Sequence, residues 1–204
     1  MSTTRLQLRT RVQQHLDDVT AGVWSVTLLN AFLDEGLRRC APVLLKESTG
    51  NVSPTDGFTF VALPSDCVYV VRAYCLTAEM PPWRQFAGLL RMDEALPASS
   101  TVTVEYLGTW LEMDSADGAP CPLADYQADV LVHYAVSRAY LELARNRVRY
   151  DRYSATVNNQ VDLEEIVRLS ESWYEDFLRM REESKSRRQI MYERDRRAGS
   201  GVAE

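Results

Sequence analysis

The chain has 204 residues, of which 46% are hydrophobic and 25% charged, and its formal net charge is −6. This length allows one sizeable domain or two small ones, and the composition is that of a soluble globular protein. No apolar run approaches the roughly 20 residues that a membrane helix needs, so we expect no membrane-spanning helix.

The first residues lack the apolar core of a signal peptide, so we expect the protein to be made and kept in a cytosol. The four cysteines have no C-x-x-C spacing, and the two histidines lie near none of them in the sequence. A zinc site and a disulfide framework therefore have no support, and we expect the cysteines to pack as small hydrophobic side chains.

Charge is unevenly distributed along the chain. Residues 41–137 contain four basic and twelve acidic side chains, whereas the segments on either side are close to balanced. A module that binds DNA normally carries a basic face over its folded body. The acidic middle therefore disfavours DNA binding by the folded part of this chain.

Two helices are expected near the N-terminus. Residues 4–18 place Leu8, Val12 and Leu16 at helical spacing. After a short break, Ser25 is a credible N-cap for a second helix, which Pro42 would kink or end. These elements predict an N-terminal helical hairpin over residues 1–50.

The hydrophobic period changes in the next segment, 51–121. The stretch ESTGNVSPTDG (47–57) is expected to be a loop, and MPPWRQF, whose two adjacent prolines fit a sheet edge or a loop, interrupts the strand pattern. The stretches FTFVALP, CVYVVRAYCLTAE and STVTVEYLGTW are rich in β-branched and aromatic residues. We therefore expect a small antiparallel β-module with acidic loops inserted between helices.

Helical patterns return over residues 122–181, with one helix reaching Tyr150 and a long one starting at Leu163. Residues 151–162 are expected to be a polar connector. The predicted fold class is α+β, mainly α: a helical bundle of four helices, the C-terminal one long, that carries the β-module. Residues 182–204 are predicted to form a C-terminal arm or tail.

No motif indicates an enzyme, and we expect no catalytic residue, no cofactor and no metal site. P-loop, G-x-S-x-G and G-x-G-x-x-G patterns are missing. His133 lies among apolar neighbours in a helix without an evident nucleophile, which favours a packed histidine. Asp114, Asp117 and Gly118 only loosely resemble a cation loop, and an acidic surface loop is the better interpretation.

The closing stretch, from Arg179 to Arg197, has eight basic and four acidic residues. A nucleic-acid contact, a solvated helix end and a docking arm all remain open. The apolar stripe of the last helix stops at Met180, and a small apolar patch follows it. We expect the arm to bind a partner through Arg187, Arg188, Ile190, Met191 and Tyr192. Deletion of residues 182–204 is then expected to leave the fold intact and to weaken docking.

Two tryptophans are candidates for a tail or subunit interface. Trp83 follows two prolines and Trp110 ends the last predicted strand, so both lie in or beside the β-module. Exposed aromatic side chains mark interfaces. Core packing is the equally open alternative for Trp83.

Three segments resemble the head-to-tail adaptor (connector) proteins of tailed bacteriophages. They are the opening LRTRVQQHLDDVTAGVWSVTLLNAFLDEGLRRCAPVLL, the strand–turn–strand FVALPSDCVYVVRAY and the helix VLVHYAVSRAYLELA. The resemblance covers about residues 5–180. It does not extend to the C-terminal arm.

This resemblance implies a structural protein of the virion neck. Such adaptors form a ring, usually of twelve subunits, beneath the portal protein, join it to a tail or nozzle protein, and line the channel through which DNA leaves. An acidic lumen would let DNA pass without sequence-specific binding, because like charge removes the attraction to phosphate. The alternatives are another tail-assembly or protein-interaction module that forms no ring, and an enzyme of unrecognised type.

Overall fold

The computed structural model describes residues 3–18, 22–41, 43–54, 59–97, 99–110, 113–157, 162–186 and 189–194. The helices are α1 (Arg5–His15), α2 (Val26–Cys40), α3 (Asp125–Arg145), α4 (Arg147–Val157), α5 (Leu163–Glu183) and α6 (189–194). The strands are β1 (Lys46–Val52), β2 (Phe60–Ala62), β3 (Cys67–Cys75), β4 (Trp83–Phe86), β5 (Leu89–Met92) and β6 (Val102–Gly108).

The chain divides into two compact units. Unit 1 contains Met1–Leu44 and Leu111–Lys185, and unit 2 contains Leu45–Trp110 and Ser186–Glu204. The helices α1 to α5 belong to unit 1. The six strands and α6 belong to unit 2, so the last described segment joins the β unit instead of extending the helical one.

The prediction of a four-helix bundle is wrong, although the α+β class is confirmed. The described residues form six helices and two three-stranded antiparallel sheets, about 48% helix and 21% strand. One extra helix arises at Asn146, which ends α3 and whose side-chain Oδ1 accepts a hydrogen bond from the N–H of Arg149 (3.1 Å). Asparagine is a favoured N-cap, so the predicted polar connector starts as α4. The other extra helix is α6.

Helix α1 is held on unit 1 by two buried arginines. The guanidinium of Arg5 contacts both carboxylate oxygens of Asp34, the closer pair at 2.6 Å, and donates to the carbonyls of Met113 and Asp114. Arg9 makes a two-pronged contact with Asp117, at 2.6 and 3.0 Å. Both arginines are nearly inaccessible to solvent, which is tolerated because their N–H groups are paired.

Two adjacent aspartates stabilise the C-terminal end of α1 in different ways. Asp17 has φ +52°, and the N–H groups of Asp17 and Asp18 donate to the carbonyls of Gln14 and Gln13. This is the Schellman arrangement of a helix C-terminus. The carboxylate of Asp18 is buried and accepts hydrogen bonds from the N–H groups of Gly22, Val23 and Trp24.

Helices α2, α3 and α5 form the core of unit 1 around Tyr134. A Cβ added at Gly36 of α2 would meet the Tyr134 side chain at 3.1 Å, so these helices approach closely. The ring of Tyr134 meets Phe177 of α5 edge-on, with centroids 5.0 Å apart. Burial and the neighbouring Glu35 raise the pKa of Tyr134 to about 12.

The larger sheet of unit 2 has the order β1-β6-β3. Strand β1 pairs with β6 over its whole length, from Lys46 opposite Gly108 to Val52 opposite Val102. The sequence predicted a loop over most of β1 because its side chains are largely polar. Pairing with the central strand outweighs that local preference, and an added Cβ at Gly50 would approach Pro64 to 3.2 Å.

The smaller sheet has the order β2-β5-β4. Strands β4 and β5 form a hairpin whose two-residue turn is Ala87-Gly88, with φ +47° and +78°. Positive φ at both turn positions matches the right-handed twist of the strands. The sequence predicted an interruption of the strand pattern here, because two prolines directly precede β4. Proline is, however, tolerated where a strand begins.

Replacing Ala87 with glycine is expected to stabilise the protein by about 1 kcal/mol, because an L-residue with positive φ carries a cost that glycine does not. Chemical denaturation of the two proteins measures this difference. Gly88→Ala is the matched control, since it adds the same strain one residue later and should destabilise. A loss of stability in Ala87→Gly would contradict the turn geometry.

Candidate interaction surface of the β unit

The smaller sheet exposes one face that combines arginine and phenylalanine side chains. Arg84 lies directly opposite Arg91, and Phe86 lies opposite Leu89. On the other side of β5, Phe60 is opposite Arg91. Opposed residues in an antiparallel pair share a face. These side chains therefore form one surface, called here the Arg-Phe face, on which Phe86 is 70% and Phe60 44% exposed.

The two arginines of this face form no ion pair with a carboxylate among the described residues. Both side chains are exposed. Like charges directly opposite each other destabilise an antiparallel pair. The free unit therefore retains an uncompensated positive pair, which an anionic group from outside would stabilise.

The opposite face of β4 is anchored to the rest of unit 2. The side-chain amide of Gln85 accepts a hydrogen bond from the N–H of Val70 (2.8 Å) and donates one to the carbonyl of Val68 (3.0 Å). Trp83 is partly buried against the apolar core of the unit. Because Gln85 and Trp83 point inward, Arg84 and Phe86 are presented outward on a fixed strand.

A groove opens at the base of the same hairpin, where the N–H of Asp93 donates to the carbonyl of Pro82 (2.9 Å). Its volume is about 420 Å³. It is lined by Ala78, Glu79, Met80, Pro81, Pro82, Glu94, Ala95, Leu96 and Pro97. Seven of these nine residues are apolar, although polar atoms make up more of the exposed lining than apolar ones. The two carboxylates have no cationic partner among the described residues.

Helix α6 packs on unit 2 through two of its residues. The side chain of Gln189 is buried and its Oε1 accepts a hydrogen bond from the N–H of Leu45 (3.0 Å). The ring of Tyr192 stacks on Tyr69 of β3, with centroids 4.2 Å apart. Ile190 and Met191 are instead about half exposed, at 54% and 47%. This segment thus has packing partners of its own and still presents an apolar pair outward.

The described residues predicted for the arm and for the tryptophan interface lie in different parts of unit 2. Ile190, Met191 and Tyr192 lie together on α6, whereas Arg187 and Arg188 are outside the described residues. Trp83 belongs to the inward face of β4. The indole Nε1 of Trp110 is buried and has no hydrogen-bond partner in the described ranges. These placements leave the assignment of all seven as binding residues a prediction.

Sequence inspection missed the Arg-Phe face and the groove. The sequence does contain the spacing that predicts the face. Arg84 and Arg91 are equidistant from the Ala87-Gly88 pair, as are Phe86 and Leu89. A two-residue turn at that pair makes such residues direct neighbours across the hairpin. Interpreting MPPWRQF as a break concealed this pairing.

Among the described residues, His133 packs against an aromatic ring and Asp117 of the acidic loop pairs with Arg9. His133 lies beside Trp173, with ring centroids 4.7 Å apart, and its Nδ1 is buried without a partner among the described residues. Burial lowers the pKa of His133. Within the described ranges, no three His, Cys, Asp or Glu side chains come together as metal ligands would.

Several carboxylates of the acidic middle, residues 41–137, form hydrogen bonds or ion pairs within the fold. Arg9 holds the pKa of Asp117 below its ordinary value, and hydrogen bonds from Thr3 lower the pKa of Asp125. Asp129 pairs with Arg11, and Asp66 pairs with Lys46. The exposed carboxylates Glu79, Asp93 and Glu94 of unit 2 lack such partners among the described residues.

No helix in the described ranges combines the length and apolar character needed to cross a membrane. Comparisons with known protein families and with characterised proteins find no match to this chain.

Proposed function

We propose that this chain is a structural head-to-tail adaptor of a tailed bacteriophage. In this role copies assemble as a ring, with twelve as the expected number, beneath the portal protein in the neck of the virion. The ring joins the portal to a tail or nozzle protein and surrounds the DNA exit channel. The chain acts by binding proteins, without catalysis.

The observation that carries this proposal is the Arg-Phe face of unit 2. Protein interfaces are enriched in aromatic residues and arginine relative to the remaining surface. Phe60 and Phe86 lie on one face with two arginines that have no ion-pair partner among the described residues. Such a face is stabilised when a partner covers it, as in an assembly protein.

The net charge of the chain also supports the proposal. A net charge of −6 opposes the non-specific binding of DNA, which depends on neutralising phosphates with lysine and arginine. A channel component should let DNA slide past and should not retain it. The electrostatic balance of this chain meets that requirement.

Portal binding by the full chain tests the proposal, with the portal protein encoded in the same phage genome. We expect the double substitution Ile190→Ser, Met191→Ser to weaken binding by roughly tenfold or more, because each buried aliphatic side chain contributes about 1.5–3 kcal/mol. Titration followed by light scattering or surface plasmon resonance gives the dissociation constants.

Val148→Ser is the matched control for this experiment. Val148 is 66% exposed on α4 of unit 1, so the change removes an exposed apolar side chain elsewhere. It should leave the affinity for portal unchanged. A chain that binds portal without forming a ring would instead be an interaction module, and a chain that does not bind portal at all would contradict the adaptor function.

A further inference from the structure

The β4–β5 hairpin carries complementary features at its two ends. The turn end presents Phe86, with 70% of its side-chain surface exposed, beside the cross-strand pair Arg84 and Arg91. The open end adjoins the groove lined by apolar side chains together with Glu79 and Glu94. One end is thus apolar and basic, and the other is apolar and acidic.

Phe86 and the two arginines at the turn end cannot contact the groove of the same chain. A four-residue strand separates the turn from the base by about 13 Å, at roughly 3.3 Å per residue. No ion pair joins the arginines to the two glutamates among the described residues. The hairpin is also fixed, because the Gln85 side chain is hydrogen-bonded to Val68 and Val70.

A second copy of the chain offers both missing partners. A groove of about 420 Å³ walled by proline, leucine and methionine side chains can accept a phenyl ring. With Phe86 in that groove, the guanidinium of Arg84 comes within reach of the carboxylates on its rim. Arginine and carboxylate groups form charge-assisted hydrogen bonds, which are the stronger ones.

We propose that copies of this chain associate head to tail, with the β4–β5 turn of one copy inserted in the Pro81–Pro82 groove of the next. Phe86 is the apolar anchor, and Arg84 pairs with Glu79 or Glu94 of the neighbouring copy. The proposal deepens the adaptor function and rests on it, since it names the contact that joins ring neighbours. Because each copy uses two different surfaces, the contact repeats and generates a ring or a filament instead of a closed dimer.

Charge exchange tests this contact on the full chain. Arg84→Glu and Glu94→Arg should each weaken self-association about tenfold or more, because like charges then face each other. The double variant Arg84→Glu, Glu94→Arg should recover association, since it restores the pair with exchanged signs. Sedimentation velocity over a concentration series, alone and with portal, gives the association constants.

Arg168→Glu is the matched control, because it changes net charge equally on an exposed position of α5 in unit 1. It should assemble like the unmodified chain. Rings of unchanged affinity with Arg84→Glu and with Glu94→Arg would overturn the contact while leaving the adaptor function intact. Failure of the unmodified chain to associate with itself or with portal would overturn both.

Cysteine cross-linking supplies a second measurement that does not depend on portal. The variant Ala87→Cys, Ala95→Cys keeps the Phe86 anchor and is made with Cys67→Ser and Cys75→Ser, which remove the two partly exposed native thiols. Under oxidation a head-to-tail contact gives a ladder of dimers, trimers and higher species. Either single cysteine variant should give no ladder. A double variant that stops at dimers, or does not cross-link, would exclude the proposed contact.

Discussion

Replacing Arg5 with alanine is expected to destabilise the protein by about 3 kcal/mol, because it removes a buried guanidinium that is hydrogen-bonded to the partly buried carboxylate of Asp34 and to main-chain carbonyls. The side chain of Arg5 is only 2% exposed, and its guanidinium makes hydrogen bonds to Asp34 and to two main-chain carbonyls. Its removal also strands those carbonyl groups. Urea denaturation monitored by circular dichroism measures the change.

Arg11→Ala is the control for that experiment. Arg11 belongs to the same helix and pairs with Asp129, but both side chains are about half exposed. An exposed pair contributes at most about 1 kcal/mol, so this variant should lose little stability. Equal losses in Arg5→Ala and Arg11→Ala would contradict the role assigned to the buried guanidinium.

Replacing Asp18 with alanine is expected to cost about 3 kcal/mol. Its buried carboxylate accepts hydrogen bonds from the N–H groups of residues 22–24, and a buried donor without an acceptor costs about 1–3 kcal/mol. Asp18→Asn should recover part of the stability, since the amide keeps one acceptor oxygen. Thermal unfolding of the three proteins ranks them.

The adjacent Asp17 should respond in the opposite direction. Asp17 is exposed and has φ +52°, which glycine adopts without cost. Asp17→Gly should therefore stabilise the protein, by about 0.5–1 kcal/mol. Destabilisation by Asp17→Gly comparable to that of Asp18→Ala would show that the C-terminus of α1 is not formed as described.

The sequence of α1 carries information about its buried arginines as well as about its apolar residues. Arg5 and Arg9 lie on the stripe that also carries Leu8, Val12 and Leu16, since all five follow helical spacing. That pattern alone indicates buried arginines. Their partners could not be predicted, because Asp34 and Asp117 are 29 and 108 residues away in the chain.

Local patterns also failed where long-range pairing decides the structure. The polar segment KESTGNV becomes β1 because β6 offers it a complete ladder of partners. Residues 182–204 were predicted to form an arm or tail; in the structure α5 ends at Glu183, and α6 lies in the β unit. In α6 the buried hydrogen bond of Gln189 and the ring contact of Tyr192 involve residues more than 100 positions earlier, which helical periodicity cannot reveal.

Electron cryomicroscopy of the full chain mixed with its phage portal tests the central claim most directly. The adaptor function predicts a closed ring of copies on one face of the portal, with density for the β4–β5 turn of each copy in the groove of its neighbour. Portal particles without added density, beside a chain that remains monomeric at the same concentration, would contradict the account.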